Sequence, residues 1–154
     1  MDLPTLLAPQ AVRAVSDITS KKRLLQTLSD LASTLVDLPS TVIFDALQDR
    51  ESLGPTGVGG GVALPHARLE NLTHVSGAFL KLDKPIDFDA VDRQPVDLVF
   101  ALFAPADSGV DHLKALALVS RTLRDPSLCA KLRANSNHLT LHTLLTNGEG
   151  SQAA

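Results

Sequence analysis

Tryptophan and tyrosine are absent from the 154-residue chain and phenylalanine occurs only five times, so aromatics reach just 3%. With so few rings, an aliphatic core of Leu, Val, Ile and Ala is expected. A single cysteine, Cys129, excludes an internal disulfide and suits a reducing compartment. No run approaches the roughly 20 apolar residues of a membrane-crossing helix. The opening MDLPTLLAPQ has neither the basic stretch nor the apolar run of a signal peptide. Positive charge is not in excess: 14 Lys and Arg against 17 Asp and Glu leave a formal net charge of −3. That balance offers nucleic acid and anionic membranes no general attraction. A cytoplasmic protein is expected, with no nucleic-acid partner and no direct membrane insertion.

What is present fits one domain. Hydrophobic residues make up 44% and charged residues 20%, an ordinary globular balance. There is no internal repeat and no dividing linker. The small, polar end NGEGSQAA divides the chain into a domain over 1–146 and a flexible tail over 147–154.

The pattern alternates between strand and helix. AVRAV (11–15) suits a short strand. In TSKKRLLQTLSDLASTL, residues Leu24, Leu28, Leu31 and Leu35 form one helical stripe, with Ser20 or Thr19 as cap. Pro39 breaks the chain, and Ser40 is expected to cap a second helix carrying Val42, Ile43, Ala46 and Leu47. Gly54 suits a left-handed residue beyond its end. HVSGAFLKL (74–82) suits a strand, and VDLVFALFA (96–104) a strand covered on both faces. VDHLKALALVSRTL returns to helix, with Leu113, Leu116, Ala117, Ser120 and Leu123 expected to face inward. Asp125 and Pro126 start another helix, and a last one spans roughly 137–146. The implied class is α/β: one domain, with a mixed β-sheet flanked by helices on both faces.

Candidate chemistry gathers around TGVGGGVALPHAR, Thr56 to Arg68. Gly57, Gly59, Gly60 and Gly61 lead into a brief strand, and Pro65 stiffens the approach to His66. Glycine loops offer backbone N–H groups to anions. His112 opens a predicted helix, where N–H groups also point outward, and Arg50 ends the helix before the glycine loop. Two imidazoles, a guanidinium and a backbone nest describe a phosphate-handling site, in which neutral histidine is a competent nucleophile. The alternative is a glycine-rich surface turn over a buried histidine. The remaining histidines carry less. His138 and His142 have metal-ligand spacing without a third ligand, so both are expected to face solvent, and His74 only opens a strand. Cys129 is expected in the core or at its boundary. No Gly-Lys-Ser/Thr, GxGxxG context or GxSxG is present, which excludes the nucleotide P-loop, dinucleotide and serine-hydrolase motifs.

RESLGPTGVGGGVALPHARLE resembles the active-site signature of enzyme IIA domains of the bacterial phosphotransferase system, mannitol/fructose type. KPIDFDAVDRQPVDLVFALFAPAD followed by DHLKALALVSRTLRD resembles its nitrogen-regulatory branch in particular. The similarity runs from about Ala11 to about Thr146. It implies an α/β/α sandwich, with His66 as phosphoryl acceptor, His112 as its neighbouring histidine and Arg50 steadying the phosphate. Thr56 and Gly57 fall on the family's Thr-Gly and Pro65 on its Pro-His pair, as binding residues. The triple glycine departs from the family, which often carries a larger residue where Gly60 stands. No metal and no cofactor is implied. The implied donor is an HPr-type phosphocarrier. Implied downstream partners are potassium transport regulators or sensor kinases, and the protein is then a stoichiometric carrier rather than a turnover enzyme. With no IIB or IIC segment in the sequence, a regulatory carrier is favoured over a sugar-specific IIA subunit with a separate IIB chain. A docking module without phosphotransfer is the third alternative.

Overall fold

The computed structural model describes the backbone of residues 1–153 and the side chains of 1–147. A six-stranded mixed sheet carries the fold, in the order β1 (Val12–Val15), β5 (Ser76–Ile86), β6 (Val96–Pro105), β3 (Val62–Ala63) and β2 (Gly57–Gly59), with β4 (His66–Leu69) also paired to β6. Its centre is β6, Val96–Pro105, buried along its length except at Asp97. This is the doubly covered strand that its apolar run predicts. Antiparallel to it runs β5, Ser76–Ile86, which pairs in turn with β1, Val12–Val15, in parallel.

On the other edge of β6 lie β3, Val62–Ala63, and β4, His66–Leu69, end to end and both parallel to it. β2, Gly57–Gly59, folds back on β3 as a hairpin. Gly60 (φ 67°) and Gly61 (φ 79°) form its two-residue turn, a geometry that needs positive φ at both central positions. The glycine loop is therefore largely a hairpin, and neither β2 nor β4 was expected as a strand.

Helices pack on both faces. A short α1, Leu3–Leu6, capped by Asp2, was not expected. α2, Lys21–Val36, is capped by Ser20, whose side chain accepts from Arg23 N at 3.1 Å. α3, Ser40–Ser52, starts differently from its expectation. Pro39 is its cap, and the Ser40 hydroxyl instead donates to Asp30 Oδ1 at 2.6 Å. Beyond the end of α3, Gly54 takes a positive φ of 154°, a conformation that suits glycine as expected but is more extended than the αL residue anticipated there. α4, Val110–Thr122, buries His112, Ala115, Leu118, Val119 and Thr122. The expected stripe is thus rotated: Leu113 and Ala117 are exposed, and His112 turns inward. α5, Pro126–Arg133, is capped by Asp125 as expected. α6, His138–Ala153, continues in the backbone past 146. The expected tail falls largely on 148–154, whose side chains lie outside the described residues.

The core is aliphatic in bulk, yet Phe79, Phe88, Phe100 and Phe103 are its largest fully buried side chains. Phe79 and Phe100 meet edge to face at 6.2 Å. Three of these scarce rings, Phe79, Phe100 and Phe103, lie on the paired strands β5 and β6, where an aromatic side chain buries a large area.

Candidate functional site

The break between β3 and β4 makes the site. Pro65 has no N–H to give the ladder, but its carbonyl accepts from Leu102 N at 2.9 Å, which keeps the kink pinned to β6. His66, the next residue, folds its ring back so that Nδ1 lies 2.9 Å from the Leu64 carbonyl. A carbonyl only accepts, so Nδ1 carries the proton and Nε2 the lone pair. Arg50 agrees with this tautomer: its Nε donates to His66 Nε2 at 3.2 Å. Its Nη1 donates to the Gly54 carbonyl at 3.0 Å. Arg50 sits in the last turn of α3, where the helix dipole favours a cation.

His112 completes the group from α4. Its ring centroid lies 5.3 Å from that of His66, with the planes 72° apart. Only 5% of the residue is exposed, and among the described residues neither ring nitrogen has a hydrogen-bond partner. A buried polar group left unsatisfied is costly. These two nitrogens are unused hydrogen-bonding capacity beside His66.

Both imidazoles titrate below the ordinary histidine value. For His66 the main cause is burial of the ring; its hydrogen bond to Leu64 opposes the shift, and the Arg50 charge adds to it. For His112 burial again leads, followed by the charges of His66 and Arg68. The site thus favours two neutral rings, one of them with its lone pair facing a guanidinium.

The structure brings His66, His112 and Arg50 together, as their assignment to one site requires. Thr56, Gly57 and Pro65, on the segments that lead to His66, are buried. The Thr56 side chain is committed to Glu51, to whose carboxylate its hydroxyl donates. Gly57 packs so closely on the loop after β5 that a Cβ there would stand 2.8 Å from Ala90 Cα. Two amides of the expected anion nest are used within the protein: Thr56 N donates to Glu51, and Gly60 N to Asp92 Oδ2 at 3.0 Å.

Two participants had not been named for a role in the site: the Leu64 carbonyl, which holds one ring nitrogen of His66, and Glu51, the buried carboxylate that follows Arg50 in RESLGPTG. Elsewhere, His74 and His138 are exposed. His142, expected to face solvent, is half-buried, and its Nε2 lies 2.9 Å from the Leu7 carbonyl. Cys129 is buried at the core, as expected. Among the described residues, no helix is long and apolar enough to cross a membrane.

The family model described as phosphoenolpyruvate-dependent sugar phosphotransferase system, EIIA 2, matches residues 5–148. The chain is 45% identical over 145 residues to a nitrogen regulatory protein of Bradyrhizobium diazoefficiens, covering 94% of this chain and 95% of that one. It is 42% identical over 152 residues to a nitrogen regulatory protein of Escherichia coli, covering 98% and 93%. Among solved structures, nitrogen regulatory protein IIA-Ntr from Neisseria meningitidis superposes with a TM-score of 0.86 at 31% identity, covering 94% of this chain and 99% of that one.

Proposed function

Because the chain belongs to the EIIA type 2 family of the phosphoenolpyruvate-dependent sugar phosphotransferase system, we propose that it is a phosphocarrier of a nitrogen-regulatory relay. It accepts one phosphoryl group on Nε2 of His66 from an HPr-type carrier. The observation that carries this is the His66 ring itself: Nδ1 is held by a carbonyl, and Nε2 is the only nitrogen left with a lone pair.

In the transfer, the Nε2 lone pair attacks the phosphorus of a phosphohistidine on the donor. The new N–P bond forms as the donor's N–P bond breaks, and the electron pair of that bond returns to the donor imidazole. The Nδ1 proton stays on its bond to Leu64, and that carbonyl stabilises the positive charge the ring gains during attack. Arg50 Nε–H, released from the lone pair it faced, lies beside the phosphoryl oxygens, where a guanidinium binds well. His112, its ring 5.3 Å from that of His66, donates to the same group. Such transfers depend mainly on positioning and charge stabilisation.

Exposed Leu53, Val58, Val110 and Leu113 are close in sequence to Arg50, Thr56 and His112, and suit a small, transient apolar docking face. Phosphorylation brings about −1.5 to −2 charge to that face. A partner can therefore distinguish the two states; potassium transport regulators and sensor kinases are the partners we favour.

The test is incubation with phosphoenolpyruvate, enzyme I and the HPr-type carrier, wild type beside His66→Ala. An acid-labile mass gain of one phosphoryl group in wild type alone supports the assignment; an unlabelled wild type with an active relay rejects it. Onward transfer to a purified IIB chain would favour a sugar-specific subunit instead.

A further inference from the structure

Glu51 and Lys21 lie outside the group of side chains around His66 Nε2, yet continuous hydrogen bonds join them to it. The Glu51 residue is only 8% exposed. Its two carboxylate oxygens accept from Thr56 N at 3.2 and 3.3 Å, and Oε1 also accepts from the Thr56 hydroxyl. The Thr56 carbonyl accepts from Leu64 N at 2.9 Å. The Leu64 carbonyl then holds His66 Nδ1. A second arm starts from the same place: the 51–56 segment that Glu51 closes contains Gly54, whose carbonyl anchors Arg50 Nη1 at 3.0 Å. One carboxylate therefore fixes both the ring and the guanidinium that faces it.

A carboxylate buried this deeply stays charged only beside a counter-charge. Lys21, the first residue of α2, supplies it with Nζ 2.8 Å from Oε2. The same ammonium lies 3.7 Å from Asp89 Oδ2 and 4.7 Å from the centre of the fully buried Phe88 ring. These contacts tie α2 and the loop after β5 to the glycine segment.

We propose that Glu51, its charge held by Lys21, is a positioning residue for phosphoryl acceptance, setting the His66 tautomer and the Arg50 orientation through Thr56 and the Leu64 carbonyl. The proposal rests on His66 being the acceptor. A placement error of about 1 Å at a reacting atom can cost about 10²-fold in rate, so a device of this kind acts on the transfer step and leaves donor docking alone.

The experiment compares Glu51→Gln, Thr56→Val and Thr56→Ser with wild type in single-turnover phosphoryl uptake across donor concentrations. Heteronuclear NMR of the His66 ring in the unphosphorylated proteins accompanies it. Expected are a maximal rate lower by about tenfold or more in Glu51→Gln and Thr56→Val, with half-saturation by donor unchanged. Thr56→Ser, which keeps the hydroxyl, recovers most of the rate that Thr56→Val loses. In the two impaired variants the Nδ1 and Nε2 shifts move toward each other as the fixed tautomer is lost. Folded variants with wild-type maximal rates and wild-type ring shifts overturn the proposal. Should Glu51→Gln not fold, the Thr56 pair alone decides, since it separates hydroxyl from shape. If wild type itself takes no phosphoryl group, the phosphocarrier function fails separately, and the ring shifts still decide whether Glu51 positions His66.

Discussion

Arg50 Nε stands 3.2 Å from His66 Nε2 and donates to the lone pair that would attack phosphorus. In the resting protein the guanidinium therefore supports the tautomer that the Leu64 carbonyl fixes; in the proposed transfer it turns to the bound phosphoryl group. The two roles need the fork geometry as well as the charge, because Nη1 is simultaneously anchored on Gly54.

Arg50→Ala should therefore lower the rate of phosphoryl uptake by about 10²-fold, the scale seen when one charge-stabilising donor is removed. Arg50→Lys should recover only part of it, since an ammonium cannot bridge Gly54 and the ring as a planar fork does. Rapid-quench measurement of acid-labile phosphate at saturating donor checks both variants. Equal rates for Arg50→Lys and wild type would show that charge alone suffices.

Burial depresses the pKa of both His66 and His112. Below about pH 6.5, the ordinary histidine value, the unfolded chain binds protons at these positions that the folded protein does not. Stability from this source is therefore full above that pH and falls as pH drops toward the folded values. Urea midpoints should decline over that window, and His112→Leu should flatten the decline. Ring titrations by NMR should place both midpoints below that of a histidine peptide, so that phosphoryl uptake persists into mild acid.

The hairpin turn offers a contrast within one pair of glycines. At Gly60 a Cβ meets nothing within 4 Å, whereas at Gly61 it would stand 2.4 Å from Arg133 Nη2 and 3.1 Å from Asp97 Oδ1. Arg133 Nη2 and Nε clamp Asp97, and Nη2 also donates to the Gly60 carbonyl at 2.8 Å. Gly60→Asn, at a left-handed position that asparagine tolerates, should cost less than about 1 kcal/mol. Gly61→Ala adds collision with the clamp to backbone strain and should cost about 1–3 kcal/mol. Thermal or urea melts of the two variants give the comparison, and equal losses would place the cost in the backbone alone.

The α/β class was legible because β6 is apolar almost throughout and α2 keeps its leucines on one stripe with a serine cap. Not every short element was. β2 and β4 arise from pairing with β3 and β6, so no local periodicity marks them. The inward face of α4 was misplaced because the leucine pattern favoured Leu113. The fold instead turns that leucine outward and buries His112, a polar residue whose position serves the site rather than the core. His66 was marked by its Pro-His neighbourhood, whereas a role for Glu51, though it follows Arg50 in RESLGPTG, becomes visible only when Lys21 and Thr56 converge on it.

The most direct measurement is phosphorus–nitrogen NMR of the protein phosphorylated by its relay and labelled in the histidine rings. Phosphorus coupled to Nε2 of His66, with Nδ1 still protonated, is the predicted result. Phosphorus on Nδ1, or on any residue other than His66, would contradict the assignment of the Leu64-held ring as the acceptor.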